Sequence, residues 1–156
     1  MDYPLEGKTR CRQSDREIGI RPLLPGDGAA LHEIASQTFP KPWKVSDFAY
    51  FIGHPAALAF GVLNDSVLVG YFLGLLSGDD LDVLSLAVKR EWHRQGFARV
   101  LLEEALSKAA HVFLEVAVTN VAAMTLYQRA GFRISGMRPR YYEGKEDAML
   151  MRFDRT

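Results

Sequence analysis

The apolar residues of this chain change their spacing from one segment to the next. Strand-like patterns cover Ile18–Leu23, Ala57–Leu63 and Val67–Leu76. The residues Asn64-Asp65-Ser66 are typical of a turn, so the last two segments are predicted to form a hairpin. Apolar positions three and four residues apart follow Pro25, and they predict a helix whose buried stripe comprises Ala30, Leu31, Ile34 and Ala35.

Strand-like and helix-like segments alternate in the second half of the chain. The pattern predicts, in order, a strand over Leu81–Val88, a helix over Phe97–Ala110, a strand over Val112–Val118 and a helix over Val121–Ala130. Two last strands are predicted over Arg133–Met137 and Ala148–Phe153, joined through Glu143-Gly144-Lys145. Antiparallel strands followed by strand–helix–strand–helix predict an α/β (α+β) fold, with one mixed, mostly antiparallel sheet and helices on both faces.

The start of the chain differs in composition from the rest. Residues 1–17 are rich in charge and contain almost nothing apolar, so we expect a disordered tail. The whole chain of 156 residues can bury one sizeable core, which predicts a single domain over residues 18–156. Phe39–Trp43 is predicted to be an irregular link, and Ser46 to cap a short helix that ends at Ile52.

Composition excludes several classes of protein. The net charge is zero, which argues against a surface for direct nucleic-acid binding. Cys11 is the single cysteine, and the four histidines lack metal-ligand spacing, so neither a disulfide nor a metal site is expected. The longest apolar run is too short to cross a membrane, and the start lacks the apolar core of a signal peptide. We therefore expect a cytoplasmic protein without a membrane partner.

A basic turn with one glycine lies between a predicted strand and a predicted helix, at residues 94–99. Unpaired N–H groups and the helix dipole favour an anion there, and Gly96 lets a ligand approach the backbone closely. Arg94 and Arg99 add charge-assisted contacts to a phosphate. A solvated loop explains the same residues about equally well, because a short basic turn is weakly specific.

Glu115 is a lone carboxylate within the apolar segment 113–118. Burying it is costly unless it faces a polar cleft or a partner. Phe113 and Ala117, its neighbours in the strand alternation, are apolar, which argues against a solvent-facing side. Glu115 is therefore a candidate general base, and a glutamate on the exposed side of the strand is the alternative.

Two residues of the following helix are candidates for ligand contacts. Asn120 at the helix start is suited to bind ligand amides, but it is also a good N-cap. Tyr127 lies seven residues later on the same helix face. It belongs to a stripe with Met124 and Ala130, so a core aromatic residue is the alternative reading for Tyr127.

These motifs together resemble the GNAT family of acyl-CoA-dependent N-acetyltransferases. Gln95-Gly96-Phe97-Ala98 is similar to the end of the family's pyrophosphate-binding signature, and Leu126–Phe132 is similar to its Leu-Tyr-x-x-x-Gly-Phe helix. Leu114-Glu115-Val116, Arg140-Tyr141-Tyr142 and Glu146-Asp147-Ala148 resemble the RimI-type branch, whose members acetylate the amino terminus of a small-subunit ribosomal protein. His93 departs from the signature, which usually has Gln or Arg there. The link before Val112 is also short, and because Ala109-Ala110-His111 must make the turn, we expect the preceding helix to end early.

The resemblance implies direct acetyl transfer from acetyl-CoA to an amine, with Glu115 as general base and Tyr127 as general acid. It also implies cofactor contacts, without a metal, from the strand backbone at Leu86, Ala87 and Val88, from Asn120, and from Arg94, Gln95, Gly96, Phe97, Ala98 and Arg99. Tyr141 and Tyr142 would border the substrate entrance, opposite Trp43, for which we favour a role as a core plug.

The acceptor is expected to be the N-terminal α-amine of a protein, with a small-subunit ribosomal protein as the implied partner. An α-amine has a pKa of about 7.7–8.0 and a lysine about 10.4, so a single base deprotonates the first more easily. Two alternatives remain open: an acetyltransferase acting on lysine or a small-molecule amine, and a non-catalytic acyl-CoA-binding module. The expected oligomeric state is a monomer or a weak dimer.

Overall fold

One sheet positions every other element of the molecule. The computed structural model describes residues 9–10, 17–142 and 146–156. Within these residues the strands form an eight-stranded sheet in the order β1-β2-β3-β4-β5-β6-β8-β7. They are β1 (Thr9–Arg10), β2 (Glu17–Pro22), β3 (Ala57–Asn64), β4 (Val67–Ser77), β5 (Asp80–Val88), β6 (His111–Ala117), β7 (Arg133–Tyr142) and β8 (Glu146–Asp154).

The strand pairing agrees with the predicted fold class. The β5–β6 pair is parallel, and the other described pairs are antiparallel. A parallel pair needs a crossover connection, and a helix between β5 and β6 supplies it. The prediction of a mixed, mostly antiparallel sheet is therefore confirmed.

Helices cover both faces of the sheet. They are α1 (Gly28–Thr38), α2 (Val45–Ile52), α3 (Phe97–Leu106) and α4 (Val121–Arg129). Successive side chains of β4 point to opposite faces. Phe72 lies in a cluster with α3 and α4 residues, whereas Tyr71 and Leu73 lie in a second cluster with α1 and α2 residues. No helix of the described residues is long and apolar enough to cross a membrane.

Three helix ends differ from the bounds that periodicity predicts, and one is the end of α4, at Arg129 instead of Ala130. α3 ends at Leu106 instead of Ala110, as the short link before β6 led us to expect, because the chain must turn before β6 begins at His111. α2 begins at Val45, one residue before the predicted cap Ser46. Lys44 occupies the N-cap position, and its backbone N–H donates to the Asp47 carboxylate at 3.1 Å.

The strand ends also differ from the predicted ones. The hairpin turn is shorter than predicted, because Asn64 already pairs with Val67. Its two central residues, Asp65 and Ser66, have φ values of 48° and 71°, and positive φ at both positions matches strand twist. At the chain end β7 and β8 extend further toward each other than predicted, while residues 143–145 lie outside the described part.

Residues 9, 10 and 17 of the predicted N-terminal tail lie within the described part of the chain. Thr9–Arg10 form β1, and they pair with Ile18 and Glu17 at the edge of the sheet. These two residues of the predicted tail therefore join the sheet, and Glu17 belongs to β2. Residues 1–8 and 11–16 lie outside the described part, and the tail over them stays a prediction.

Candidate active site

Strands β5 and β6 form a fork in the middle of the sheet. They pair at Asp80↔His111, Leu81↔Val112 and Asp82↔Phe113, and among the described residues the pairing stops there. From Val83 to Val88, one edge of β5 therefore faces the opening of the fork. Backbone groups on such an edge need hydrogen-bond partners from elsewhere, such as water or an extended ligand.

A bulge on the other side of β5 lies where the fork begins. The pairing with β4 runs through Leu73↔Ser85 and resumes at Gly74↔Val83, so Leu84 has no opposite residue. A bulge bends a strand and increases its local twist. This bend turns the second half of β5 away from β6 and so contributes to the opening.

The predicted phosphate-binding turn lies at the far end of β5. Gly96 is the N-cap residue of α3, with φ of +89°, and Arg94 also has a positive φ of 61°. A Cβ atom at Gly96 would meet no other heavy atom within 4 Å. Glycine is therefore favoured by the left-handed backbone and not by crowding, and the space in front of its Cα is open.

Side chains of the turn are fixed against the protein. A ring nitrogen of His93 lies 2.7 Å from the Val88 carbonyl oxygen, so this departure from the family signature ties the turn to β5. The Gln95 Oε1 atom is buried and has no hydrogen-bond partner among the described residues. The Nε atom of Arg99 lies 3.5 Å from the Oε1 atom of Glu103, one helical turn later. Burying the Gln95 oxygen without a hydrogen bond costs free energy. A ligand that donates a hydrogen bond to this oxygen would remove that cost.

A cleft of about 700 Å³ opens at the fork on the sheet face that carries Glu115. Its walls are mainly apolar and come from β5, β6, β7, β8 and the link before α2. The lining residues are Trp43, Leu75, Asp82, Val83, Leu84, Phe113, Leu114, Glu115, Ser135, Arg138, Tyr141, Leu150 and Met151. A concave apolar site with a few polar groups is typical of small-molecule and substrate binding.

Glu115 lies at the polar end of this cleft. Its side chain is 29% exposed, whereas the adjacent Leu114 and Val116 are buried on the opposite face of β6. The carboxylate forms an ion pair with the Arg138 guanidinium, whose nearest nitrogen lies 3.1 Å from a carboxylate oxygen, and it accepts a hydrogen bond from the Tyr141 hydroxyl. The strand alternation placed Glu115 correctly on a half-buried, non-core side. Its catalytic role stays a prediction.

Tyr141 completes this polar group. Its hydrogen bond to Glu115 and, to a smaller extent, its burial raise the pKa of the Tyr141 phenol above its usual value. The Arg138 guanidinium carbon lies 4.9 Å from the centre of the Tyr141 ring, a cation–π distance. Tyr141 thus lines the cleft, and its role at the substrate entrance stays a prediction. The backbone of Tyr142 at the end of β7 pairs with Glu146 of β8, and the Tyr142 side chain lies outside the described part.

The two candidates on α4 have clear structural roles. The Asn120 side chain accepts a hydrogen bond from the Ala123 N–H at 3.1 Å, so the N-cap reading is correct. Tyr127 is 8% exposed and packs on Phe132, with 5.6 Å between ring centres. The ring therefore belongs to the core. Contacts of either residue with acetyl-CoA, and the acid role of Tyr127, stay predictions.

Trp43 has two neighbourhoods. Its ring packs on Phe48 and Phe51, with centroid distances of 5.4 and 4.9 Å, which is the core contact we predicted. It also lines the cleft on the side opposite β6 and β7. The residue thus joins the second buried cluster to the candidate active site.

Sequence reasoning missed two charged residues of the cleft. No local pattern indicates that Arg138 on β7 reaches β6 across β8. Asp82 was not considered, although Leu81 before it is strongly apolar and the alternation therefore puts Asp82 on the other face. The missing information was the parallel register that brings Asp82 opposite Phe113.

The central part of the chain matches a known protein family. Residues 28–132 match the model of the "Acetyltransferase (GNAT) family". This chain belongs to the GNAT acetyltransferase family. The membership and the enzyme class predicted from the motifs are thereby confirmed.

Sequence relatives point to one branch of the family. The [ribosomal protein bS18]-alanine N-acetyltransferase of Escherichia coli is 29% identical over 140 residues, which cover 85% of this chain and 94% of the relative. The N-alpha-acetyltransferase RimI of Mycobacterium tuberculosis is 32% identical over 146 residues, which cover 88% of this chain and 92% of the relative. The predicted resemblance to RimI-type enzymes is confirmed at the level of sequence.

A solved structure gives the same result. The crystal structure of the ribosomal-protein-S18-alanine N-acetyltransferase from Escherichia coli superposes with a TM-score of 0.82 at 28% identity. The match covers 88% of this chain and 93% of that chain. The chain therefore has the GNAT fold.

Proposed function

We propose that this GNAT enzyme transfers an acetyl group from acetyl-CoA to the N-terminal α-amine of a protein, with a ribosomal protein as the acceptor. One observation carries the proposal: the fork between β5 and β6 connects a basic, glycine-containing turn with a cleft that contains Glu115. The relatives named for acetylation of ribosomal protein bS18 support the same acceptor class.

The turn and the fork are suited to hold acetyl-CoA. The open space before Gly96 admits a pyrophosphate, and Arg94 and Arg99 carry the opposite charge. The free edge of β5 at residues 86–88 can pair with the amides of an extended pantetheine arm. The orphaned Gln95 oxygen offers a further acceptor. When bound, acetyl-CoA supplies a thioester carbonyl as the electrophile.

Glu115 is placed to accept a proton from the amine. Its carboxylate faces the cleft, and the bonds from Arg138 and Tyr141 hold it there in a defined orientation. The amine proton passes to the carboxylate directly or through a water molecule, and the nitrogen lone pair becomes the nucleophile. In this proposal the Tyr127 hydroxyl returns a proton to the departing thiolate.

Proton energetics favour an α-amine as the acceptor. At pH 7.4, deprotonating an α-amine with pKa of about 7.7–8.0 costs roughly 0.5 kcal/mol, while a lysine at about 10.4 costs roughly 4 kcal/mol. A carboxylate that is already stabilised by an ion pair and a hydrogen bond is a weak base, so it is better matched to the smaller cost of deprotonating an α-amine. The acceptor should therefore be a peptide N-terminus.

The decisive experiment combines acetyl-CoA with a panel of peptides that differ in their first residue. Mass spectrometry locates the added acetyl group. We expect it on the α-amine of peptides that begin with a small residue such as Ala or Ser. Acetylation mainly on lysine side chains, or only of a small amine, would replace this proposal with the alternative acceptors. Binding of acetyl-CoA without any transfer would leave an acyl-CoA-binding module.

A further inference from the structure

Asp82 places a second carboxylate in the cleft, on the strand next to Glu115. It lies in the last residue pair before the fork opens, in register with Phe113, and Glu115 follows Phe113 by two positions. Leu81 is fully buried in the core, so strand alternation points Asp82 to the cleft face. Asp82 is exposed and is among the lining residues.

The two carboxylates differ in how their charge is compensated. Glu115 forms an ion pair with the Arg138 guanidinium at 3.1 Å and accepts a hydrogen bond from the Tyr141 hydroxyl. No hydrogen bond or ion pair of the Asp82 carboxylate occurs within the described ranges 9–10, 17–142 and 146–156. The negative charge that the cleft presents to an incoming cation is therefore that of Asp82.

An amine acceptor arrives at this cleft as a cation. At neutral pH most of an α-amine is protonated, and lysine or a small alkyl amine almost wholly so. An ammonium group donates three hydrogen bonds, and a carboxylate without a partner is a strong acceptor for them. Phe113 and Leu84, beside Asp82 in the cleft, offer apolar contact to the rest of the acceptor.

We propose that Asp82 is the carboxylate that binds the protonated amino group of the acceptor, while Glu115 takes the proton. The division follows from the compensated charge of Glu115 and from the lack of a partner for Asp82 among the residues that the structure describes. One N–H bond breaks, its proton moves to the Glu115 carboxylate or to a bridging water, and the nitrogen keeps the electron pair. Asp82 thus binds the acceptor and selects for a protonated amine. This inference rests on the function proposed above.

The test compares an α-amine peptide with its own acetylated product. Both are titrated into the protein saturated with CoA, and their dissociation constants are measured by calorimetry at pH 7. Asp82→Asn should weaken binding of the free-amine peptide by roughly 5- to 20-fold, the effect of one partly exposed charge-assisted bond. Binding of the acetylated peptide should not change, because it carries no ammonium.

Asp80→Asn is the matched control. Asp80 lies on the same strand two residues earlier, is exposed, and is not among the cleft-lining residues. The substitution removes the same charge from the same strand. Equal losses of peptide affinity in the two variants would therefore mean that only the net electrostatic field of this region acts on the amine. Asp82→Glu should retain most of the preference for the free amine. Thermal melting checks that the variants are folded.

Kinetics give a second readout of the same role. In Asp82→Asn the KM for the acceptor should rise while kcat changes less than about threefold, and the penalty should shrink at pH 9, where the α-amine is neutral. The other charged and titratable groups that line the cleft are Glu115, Arg138 and Tyr141. Further groups on the same sheet face lie outside the cleft, and they are Asp80, His111, Arg133, Arg152 and Asp154. They are common to wild type and variant, so the difference isolates Asp82.

Failure of this inference can be told apart from failure of the proposed function. If mass spectrometry places the acetyl group on lysine or a small amine, the acceptor assignment fails, and the same comparison is made with that amine and its acetylated form. If Asp82→Asn and Asp80→Asn bind the free amine equally well, the inference is wrong. It is also wrong if the wild-type protein does not distinguish the free amine from the acetylated form.

Discussion

Arg138 reaches across strand β8 and forms an ion pair with the Glu115 carboxylate on β6, with 3.1 Å between nitrogen and oxygen. The arginine comes from the edge strand β7, and its guanidinium also lies over the Tyr141 ring. A charge-assisted bond of this kind fixes the direction of the carboxylate. The candidate base is therefore oriented by a residue from a different part of the chain.

Substitution of Arg138 should disturb this orientation. In Arg138→Gln we expect kcat to fall by roughly 3- to 10-fold, because Glu115 loses a defined position, a moderate effect for a residue that acts through another. Arg138→Lys should recover part of the loss, and the affinity for acetyl-CoA should not change. Arg140→Gln, two residues along the same strand, is the control. Equal kcat values for wild type and Arg138→Gln would reduce Arg138 to a surface residue.

Glu115→Gln tests the proposed base directly. The amide keeps the shape of the side chain but cannot accept the amine proton. General-base losses are roughly 10²–10⁴-fold, and we expect a fall of that order in kcat with unchanged acetyl-CoA affinity. Glu33→Gln, at an exposed position of α1, serves as the control. A fall of less than about threefold, outside the general-base range, would remove Glu115 from this role.

Gly96→Ala tests the phosphate turn. A Cβ at Gly96 meets open space, so the cost comes from the φ of +89°, which is unfavourable for alanine by roughly 1–2 kcal/mol. Gly78→Ala is a matched control, because Gly78 has φ of +59° and equally open surroundings away from the turn. Both variants should lose similar stability in denaturant unfolding, but only Gly96→Ala should bind acetyl-CoA more weakly in calorimetry. Equal affinities would contradict the assignment of the turn.

Tyr127→Phe separates the hydroxyl of Tyr127 from its ring. The phenylalanine keeps the packing on Phe132, so the melting temperature should change little. If the hydroxyl protonates the thiolate, kcat should fall, and by less than in Glu115→Gln, because a thiolate with a conjugate-acid pKa of about 8.5 is a fair leaving group. Single-turnover transfer rates at saturating acetyl-CoA give the comparison. A folded variant with full activity would show that Tyr127 only packs.

The sequence was sufficient for the elements and for the position of Glu115, for a physical reason. Strand and helix periods are local properties, and a carboxylate between Leu114 and Val116 must lie on the other side of the strand. It was not sufficient for the partners of Glu115. The Arg138 contact and the position of Asp82 depend on strand order and register, which neither motif nor periodicity encodes.

Helix ends show the same limit on a smaller scale. The apolar pattern continues past Leu106 to Ala109, which is buried, but the chain is no longer helical there. Ala110 and His111 donate backbone hydrogen bonds to the Asp79 carbonyl, and this contact with the turn before β5 sets where α3 must end. Periodicity alone extends α3 four residues too far, because tertiary hydrogen bonds determine where this helix ends.

Tyr71 connects β4 to β5 beside the bulge, and its ionisation should limit stability at high pH. The side chain is fully buried, and its hydroxyl lies 2.7 Å from the Ser85 hydroxyl. Burial raises the pKa of the Tyr71 phenol to about 12. Because the folded-state pKa exceeds the unfolded value of about 10, the neutral phenol contributes stability in full below pH 10. That contribution is lost as the pH rises through 12.

Denaturant unfolding of wild type and Tyr71→Phe between pH 8 and 11.5 measures this loss. The phenylalanine does not titrate, so the difference in unfolding free energy between the two proteins isolates Tyr71. Above pH 10 the wild type should lose stability relative to the variant by roughly 1.4 kcal/mol per pH unit, the value for one proton. A difference that stays constant over this range would mean that the Tyr71 pKa is not raised in the folded protein.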